Sequence, residues 1–386
     1  MQVKLVWLMG YGGPYPGSSI PLLRAALDEG RERGWTPLAV VGEQAGDRPW
    51  LAELRDDGYD VEVTGTSRPQ TFRRVGEIVA AGPPATILHT HYSRFDMAAA
   101  LRSLAARRPR PPVFWHVRTA LKTSAPARVR NLVRFGLVGR AVDGIFTPST
   151  DLRQQVIGRG APSARVHAFP HGLDTDRFSL ASPAERAAAR RDLGLDEGAT
   201  VLLHFGWDWQ RKGGDLFLDA IRRLIDDPRL GQHELLALSS QGGEQARALA
   251  SRLGILDRVR LLSATDRVET LHAAADVVLA TSRAEGGMPP FAVAEALSRG
   301  TAVVATDIPD HAFAAERTPG CRLAAHSGEA IADAVLTTLA RSPEQAASEA
   351  EQGHVWIARE KSMSAWVARM FDYYEAALVD RGHRMN

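Results

Sequence analysis

HFGWDWQRKGGDLFLDAIRRL (residues 204–224) and ATSRAEGGMPPFAVAEALSRGTAVVATDIP (residues 280–309) each read as an apolar strand, a glycine-rich loop carrying charge, and a helix. Such a loop aims backbone N–H groups and a helix N-terminus at one point, where an anion is favoured. The first loop adds Arg211 and Lys212; the second carries Glu285 and, ten residues on, Glu295. A phosphate-bearing ligand with polar hydroxyls is the chemistry these loops predict. The alternation also decides the fold class, because strands separated by helices build a mainly parallel sheet covered on both faces.

The same order occurs at the start of the chain. A β-prone run, Val3–Met9, stops at Gly10, and GYGGPYPGSS (residues 10–19) leads into a helix over residues 20–33. Its apolar residues Leu22, Leu23, Ala26 and Leu27 share one face, and Pro21 suits the first turn. A strand over residues 36–41 follows this helix, as one over residues 234–239 follows the helix of the second half. Two such βαβ units half a chain apart predict two doubly wound domains. Further strands are expected over residues 60–63, 85–91, 112–117, 143–148 and 166–169, with helices over 69–81, 97–107 and 150–157.

Ligands bind beyond the C-terminal ends of parallel strands. His91, His116 and the loop from Gly10 to Gly17 stand at such ends; His89 lies on the same strand face as His91 and serves packing equally well. The stretch PHGLDTDRFSLASPAERAAARRDLGLDEGA (residues 170–199), rich in turn residues and alanine, reads as the linker. A helical tail over residues 356–378 offers Trp356, Ile357, Trp366, Val367, Met370, Phe371 and Tyr374 as apolar faces.

Composition narrows the class. The chain has 386 residues, 45% of them hydrophobic, too long for one ordinary core. A net charge of +2 gives no argument for nucleic acid, and the single Cys321 makes neither an internal disulfide nor a thiolate metal site. Without an apolar run of spanning length, a cytoplasmic protein is expected.

Three segments resemble the retaining, GT-B-fold sugar-nucleotide glycosyltransferases of family 4. PHGLDTDRF (170–178) resembles the family's interdomain N-G-V-D-x-x-x-F signature. Phe205 to Gly213, FG-x5-KG, resembles G-R-x-x-x-x-K-G. EGG…FAVAEALSRGTAVVAT (285–306) resembles E-G-F-G-L-x-x-x-E-A-M-A-x-G-x-P-V-V-A. The resemblance implies two Rossmann-like domains facing across a cleft, residues 1–178 on the acceptor side and 179–365 on the donor side. The tail from about residue 366 would return to the first domain. It also implies roles. Lys212 would neutralise the donor's diphosphate with Arg211 beside it, and Glu295 would take hydrogen bonds from the ribose. Glu285 with Gly286, Gly287, Met288 and Pro289 would hold the donor sugar, and His116 would contact that sugar. Gly12, Gly13, Gly17 and Gly206 would let backbone approach the phosphates, and Leu262 and Ser263 would lie near the base. His91, Tyr92, Arg94 and Arg118 are the acceptor-side candidates.

Two departures stand out. Trp207 occupies the position of the family's arginine, with Arg211 four residues later as its substitute. The glutamates are ten apart where the family places them eight apart. Trp207 and Trp209 are expected to point the same way from an extended loop, stacking on a sugar or base or simply packing. The reaction implied is retaining transfer of a sugar from a nucleoside diphosphate to a hydroxyl or amine, without metal or resident cofactor. The alternatives are a degenerate sugar-nucleotide-binding protein and, on the same architecture, an epimerase or phosphorylase. The acceptor, whether small molecule, glycan or lipid-linked, is not named by these residues. Finally, residues 97–142 hold ten Arg or Lys and no Asp or Glu. This basic stretch, centred on 102–140, reads as peripheral contact with an anionic membrane, as a seat for an anionic acceptor, or as a solvated face.

Overall fold

The structure is a computed structural model describing residues 2–65, 67–91, 93–106, 109–119, 121–122, 124–196, 198–230 and 235–382. The chain forms two units, one of residues 1–172 with 363–386 and the other of residues 173–362. The change-over lies at 172/173, where the sequence reading put 178/179, and the return begins at Met363 rather than near 366.

The first unit is built on seven strands: β1 (Val3–Met9), β2 (Thr36–Gly42), β3 (Val61–Thr64), β4 (Ala85–His91), β5 (Val113–His116), β6 (Gly144–Thr147) and β7 (Val166–Ala168). They lie in the order β3-β2-β1-β4-β5-β6-β7, every neighbouring pair parallel. The strand order reverses between β1 and β4, the crevice where doubly wound sheets take ligands. The tail helix Met363–Asp380 belongs to this unit. Its Trp366, Met370, Phe371, Tyr374 and Leu378 are buried in one core with Trp7, Leu23, Leu27 and Phe114.

The second unit carries β8 (Thr200–Phe205), β9 (Leu235–Ser240), β10 (Val259–Leu262), β11 (Val277–Ala280), β12 (Ala302–Thr306) and β13 (Cys321–Ala324). Their order is β10-β9-β8-β11-β12-β13, again all parallel. Its switch point falls between β8 and β11, so the two loops quoted at the outset leave the sheet side by side. Continuous apolar strands such as Val277–Ala280 and Ala302–Thr306 suit a sheet covered on both faces.

From Leu173 onward, the stretch read as a linker is instead part of the second unit. Ser182 and Glu185 close a reciprocal capping box, starting a helix over Pro183–Asp192. Leu173, Phe178, Ala189 and Leu195 enter the core. The turn residues are real, but the alanines between them form a buried helix face. Among the described residues, no helix is long and apolar enough to cross a membrane.

Candidate functional site

In the second unit, β8 ends at Phe205 and the chain folds into a compact turn before the helix Gly214–Ile225. The backbone turns tightly enough for Lys212 N–H to reach Asp208 O at 2.7 Å. Gly213 takes a left-handed conformation, φ +64°, and a Cβ there would lie 2.0 Å from Thr281 O. Only glycine meets both demands. Thr281 Oγ1 donates to the carbonyls of Lys212 and Gly213, and Arg283 N–H to that of Arg211, stitching the two loops together.

Against expectation, the two tryptophans part company. Trp209 is buried in the core against Gly214, whereas Trp207 is 59% exposed. The loop is a turn, not an extended strand, so side chains two apart do not share a face. The Trp207 ring lies under the Arg211 guanidinium, 4.6 Å from centroid to Cζ. An arginine at 211 is thereby carried back over position 207.

Three charged side chains converge here. Lys212 Nζ lies 2.6 Å from Glu285 Oε1, and Arg211 Nη1 lies 3.2 Å from Glu285 Oε2. Ser282 Oγ donates to Glu285 Oε1 at 2.6 Å. Burial pushes the Glu285 carboxyl up, but Lys212, Ser282 and His311 outweigh it and hold it below the usual range. Glu285 therefore stays ionised at neutral pH. Arg211 is oriented further by Asp208 Oδ2 at 2.9 Å.

Glu285 is followed by Gly286, Gly287, Met288 and Pro289, all half-buried, and then by the helix Phe291–Ser298. Its N-cap residue is Pro290, which has no side-chain acceptor to offer the first turn. Glu295 projects from this helix with its Oε2 3.2 Å from Nε2 of the fully buried His272. Gly206 is buried, its N–H bonded to Ser240 O at 2.8 Å. Leu262 and Ser263 end β10, two strands from β8, with Leu262 half-buried and Ser263 exposed. The structure thus brings Arg211, Lys212, Glu285 and Glu295 to the switch point, and leaves Leu262 and Ser263 at the sheet edge.

In the first unit, β4 and β5 pair so that His91 lies directly beside His116. Their rings stack at 4.8 Å, His89 lies 4.9 Å from His91, and Trp7 stacks on both His89 and His91. Tyr374 Oη and His89 Nδ1 are 2.5 Å apart. Both ring nitrogens of His91 and of His116 are buried without a hydrogen-bond partner among the described residues. One ligand atom from each of His89, His91 and His116 lies within 4.8 Å of the others, so this is also where neutral imidazoles could hold a transition metal. Such orphaned nitrogens at strand C-termini mark a place for a polar ligand.

Around them, Arg118 donates to Ser19 Oγ at 2.7 Å and Ser18 Oγ at 3.0 Å, tying the β5 end to the glycine loop. The Gly12 and Gly13 carbonyls accept from Arg48 Nε and Trp50 Nε1, and Gly17 has φ +51°. The tightness at Gly12 and Gly13 comes from Gln44 and Tyr11 of the same unit. Arg94 is exposed, and Tyr92 lies outside the described residues.

Sequence reasoning missed His272, Ser282 and Tyr374. His272 and Tyr374 are recruited from elements remote in sequence, and no local spacing announces them; Ser282 stands only three residues before Glu285, close enough for local spacing to have offered it. His171 was within reach, because PHGLDTDRF contains it; its ring lies 5.0 Å from His116.

Burial pushes His89 down to about 3. Burial first, then neighbouring histidines and Arg118, hold His91 and His116 well below the ordinary value. The unfolded chain binds these protons near pH ~6.5, while the folded chain binds them only at much lower pH. Stability is therefore present above pH ~6.5 and is lost as pH falls below it. Each such group contributes a slope of about 1.4 kcal/mol per pH unit. Thermal midpoints should fall steadily from pH ~6.5 downward, less steeply for His116→Phe. Equal slopes in the two proteins would contradict this.

Two family descriptions cover both units: "Glycosyl transferase 4-like domain" matches residues 14–172 and "Glycosyl transferases group 1" matches residues 199–341. The chain belongs to the group 1 glycosyl transferases. A D-inositol 3-phosphate glycosyltransferase of Geodermatophilus obscurus is 34% identical over 243 residues, 58% of this chain and 52% of that protein. The match thus spans about half the length of that relative. Among solved structures, the HepE protein of Anabaena in complex with UDP superposes with TM-score 0.80 at 19% identity, over 97% of this chain and 100% of that one. A glycosyltransferase from Rickettsia africae gives 0.81 at 10% identity, over 98% and 99%. At such identities the structures establish the fold alone and leave the ligands to chemistry.

Proposed function

We propose that the protein is a retaining, metal-independent glycosyltransferase that moves a sugar from a nucleoside diphosphate to an acceptor hydroxyl or amine. One observation carries this reading: Lys212, Arg211 and Glu285 meet at the switch point beside the N-terminus of the helix bearing Glu295. Breaking the glycosidic bond puts charge on the departing β-phosphate. Lys212, Arg211 and that helix end supply the positive potential to meet it, in place of a divalent metal. Glu295, held by His272, offers a carboxylate oxygen to the ribose diol, and Glu285 with Gly286 and Gly287 offers acceptors to the sugar. That HepE, of the same fold, is in complex with UDP supports a nucleotide ligand. In the first unit, the orphaned nitrogens of His91 and His116 would take substrate hydroxyls, with Arg118 braced beside them.

The test is a panel of UDP-, GDP-, ADP- and dTDP-sugars in EDTA, read as thermal shift and as release of nucleoside diphosphate. One base should shift the midpoint and be turned over despite the chelator. Glu295→Gln should weaken that nucleotide by roughly tenfold to a hundredfold, the loss of one or two charge-assisted hydrogen bonds. Binding without turnover on any acceptor would favour a degenerate binding protein instead. Loss of turnover in EDTA, restored by a metal ion, would overturn metal independence.

A further inference from the structure

The basic stretch of the first unit folds in a way its composition does not suggest. Residues Ala125–Leu132 form an α-helix that widens into a π-turn, Val133–Leu137, and tightens into a 3-10 turn, Val138–Ala141. Its inward side carries Ala127, Asn131, Arg134, Phe135 and Val138, all buried. The central arginine, Arg134, is turned inward onto the fully buried Asp96, which also accepts from Thr90. Its outward side is apolar: Val129 is 64% exposed, Leu132 57%, Val133 44% and Leu137 69%. Val129, Val133 and Leu137 follow one another at intervals of four, so they make one ridge with Leu132 beside it. Arg128, Arg130 and Arg140 are exposed along its flanks.

A helix that merely faces water would put its arginines outward and its leucines inward. Here the helix buries an arginine and shows solvent four aliphatic side chains. We propose that this ridge is a docking surface for an anionic lipid bilayer. The aliphatic side chains would enter the boundary between head groups and acyl chains, while Arg128, Arg130 and Arg140 meet lipid phosphates. Charge selects this occupant over a second copy of the chain. A two-fold interface would set the ridge's arginines against their own copies, and residues 97–142 hold no carboxylate to relieve them. An anionic surface satisfies both the apolar ridge and its rim.

The experiment is co-sedimentation of the full chain with vesicles of phosphatidylcholine alone or mixed with phosphatidylglycerol, at low and high salt, alongside its sedimentation velocity without lipid. Binding should require phosphatidylglycerol and weaken with salt. Leu132→Ser with Leu137→Ser should lower the partition coefficient by roughly tenfold or more. Arg128→Gln with Arg130→Gln should lower it by roughly fivefold per charge. Unchanged thermal midpoints and nucleotide shifts would show that the variants are folded. No binding to anionic vesicles would overturn the proposal, as would binding indifferent to both variants. So would a lipid-free dimer that the serine variants dissociate, which would assign the ridge to a second copy.

Discussion

Lys212→Ala is expected to lower kcat/KM for sugar transfer by roughly 10²–10³-fold, the scale seen when one preorganised group facing a developing oxyanion is removed. Its ammonium is the most buried cation at the site, 10% exposed, and is held 2.6 Å from Glu285. Low dielectric makes such a charge count for more than one on the surface. The substitution also strips a buried carboxylate of its main partner, a change that can destabilise by about 3–5 kcal/mol when nothing replaces it. Arg211 at 3.2 Å and Ser282 at 2.6 Å remain to hold Glu285, so the loss should be smaller. A second variant separates the two effects. Adding Glu285→Gln to Lys212→Ala should recover thermal stability and leave transfer at least as slow as before, since Glu285 is itself assigned to the sugar. A Lys212→Ala protein with full transfer activity would remove Lys212 from the phosphate role.

Gly213→Ala should be the most damaging single-methyl change in the second unit. The new Cβ would meet Thr281 O at 2.0 Å, a backbone atom whose strand cannot yield without moving the second loop. The left-handed backbone adds about 1–2 kcal/mol for any residue with a Cβ. Together about 3–5 kcal/mol is expected, on the order of 10 °C in the thermal midpoint for a unit of this size. Gly194 provides the comparison, since it has φ +60° and, among the described residues, nothing within 4 Å of its would-be Cβ. Gly194→Ala should cost only the backbone penalty, about 1–2 kcal/mol. Unfolding of both variants by denaturant checks this; equal losses would mean that the two loops are not locked at Thr281.

What was legible in the sequence was whatever depends on neighbours along the chain. Val3–Met9 and Ala85–His91 are strands as their apolar runs indicate, because a central parallel strand buries both faces and leaves no polar positions. Lys212 reaches the switch point because a strand, a turn and a helix leave it little freedom. Other expectations broke where a local pattern had two physical solutions. Trp207 and Trp209 diverge because a turn, unlike a strand, does not repeat every two residues. The alanine-rich stretch after Phe178 looked like a tether, yet its capping box nucleates a helix that the core accepts.

The doubly wound class and the two glycine loops were thus determined by the sequence alone, since each follows from propensity, periodicity and spacing within a few turns of chain. Only the tertiary structure decided which carboxylate meets Lys212, that His272 holds Glu295, and that Arg211 folds back over Trp207. It likewise decided that a basic helix turns its leucines outward, because Asp96, from another helix, claims the arginine that would have faced water. Partners that lie far apart in sequence are chosen by packing, and packing is settled only when the whole unit closes.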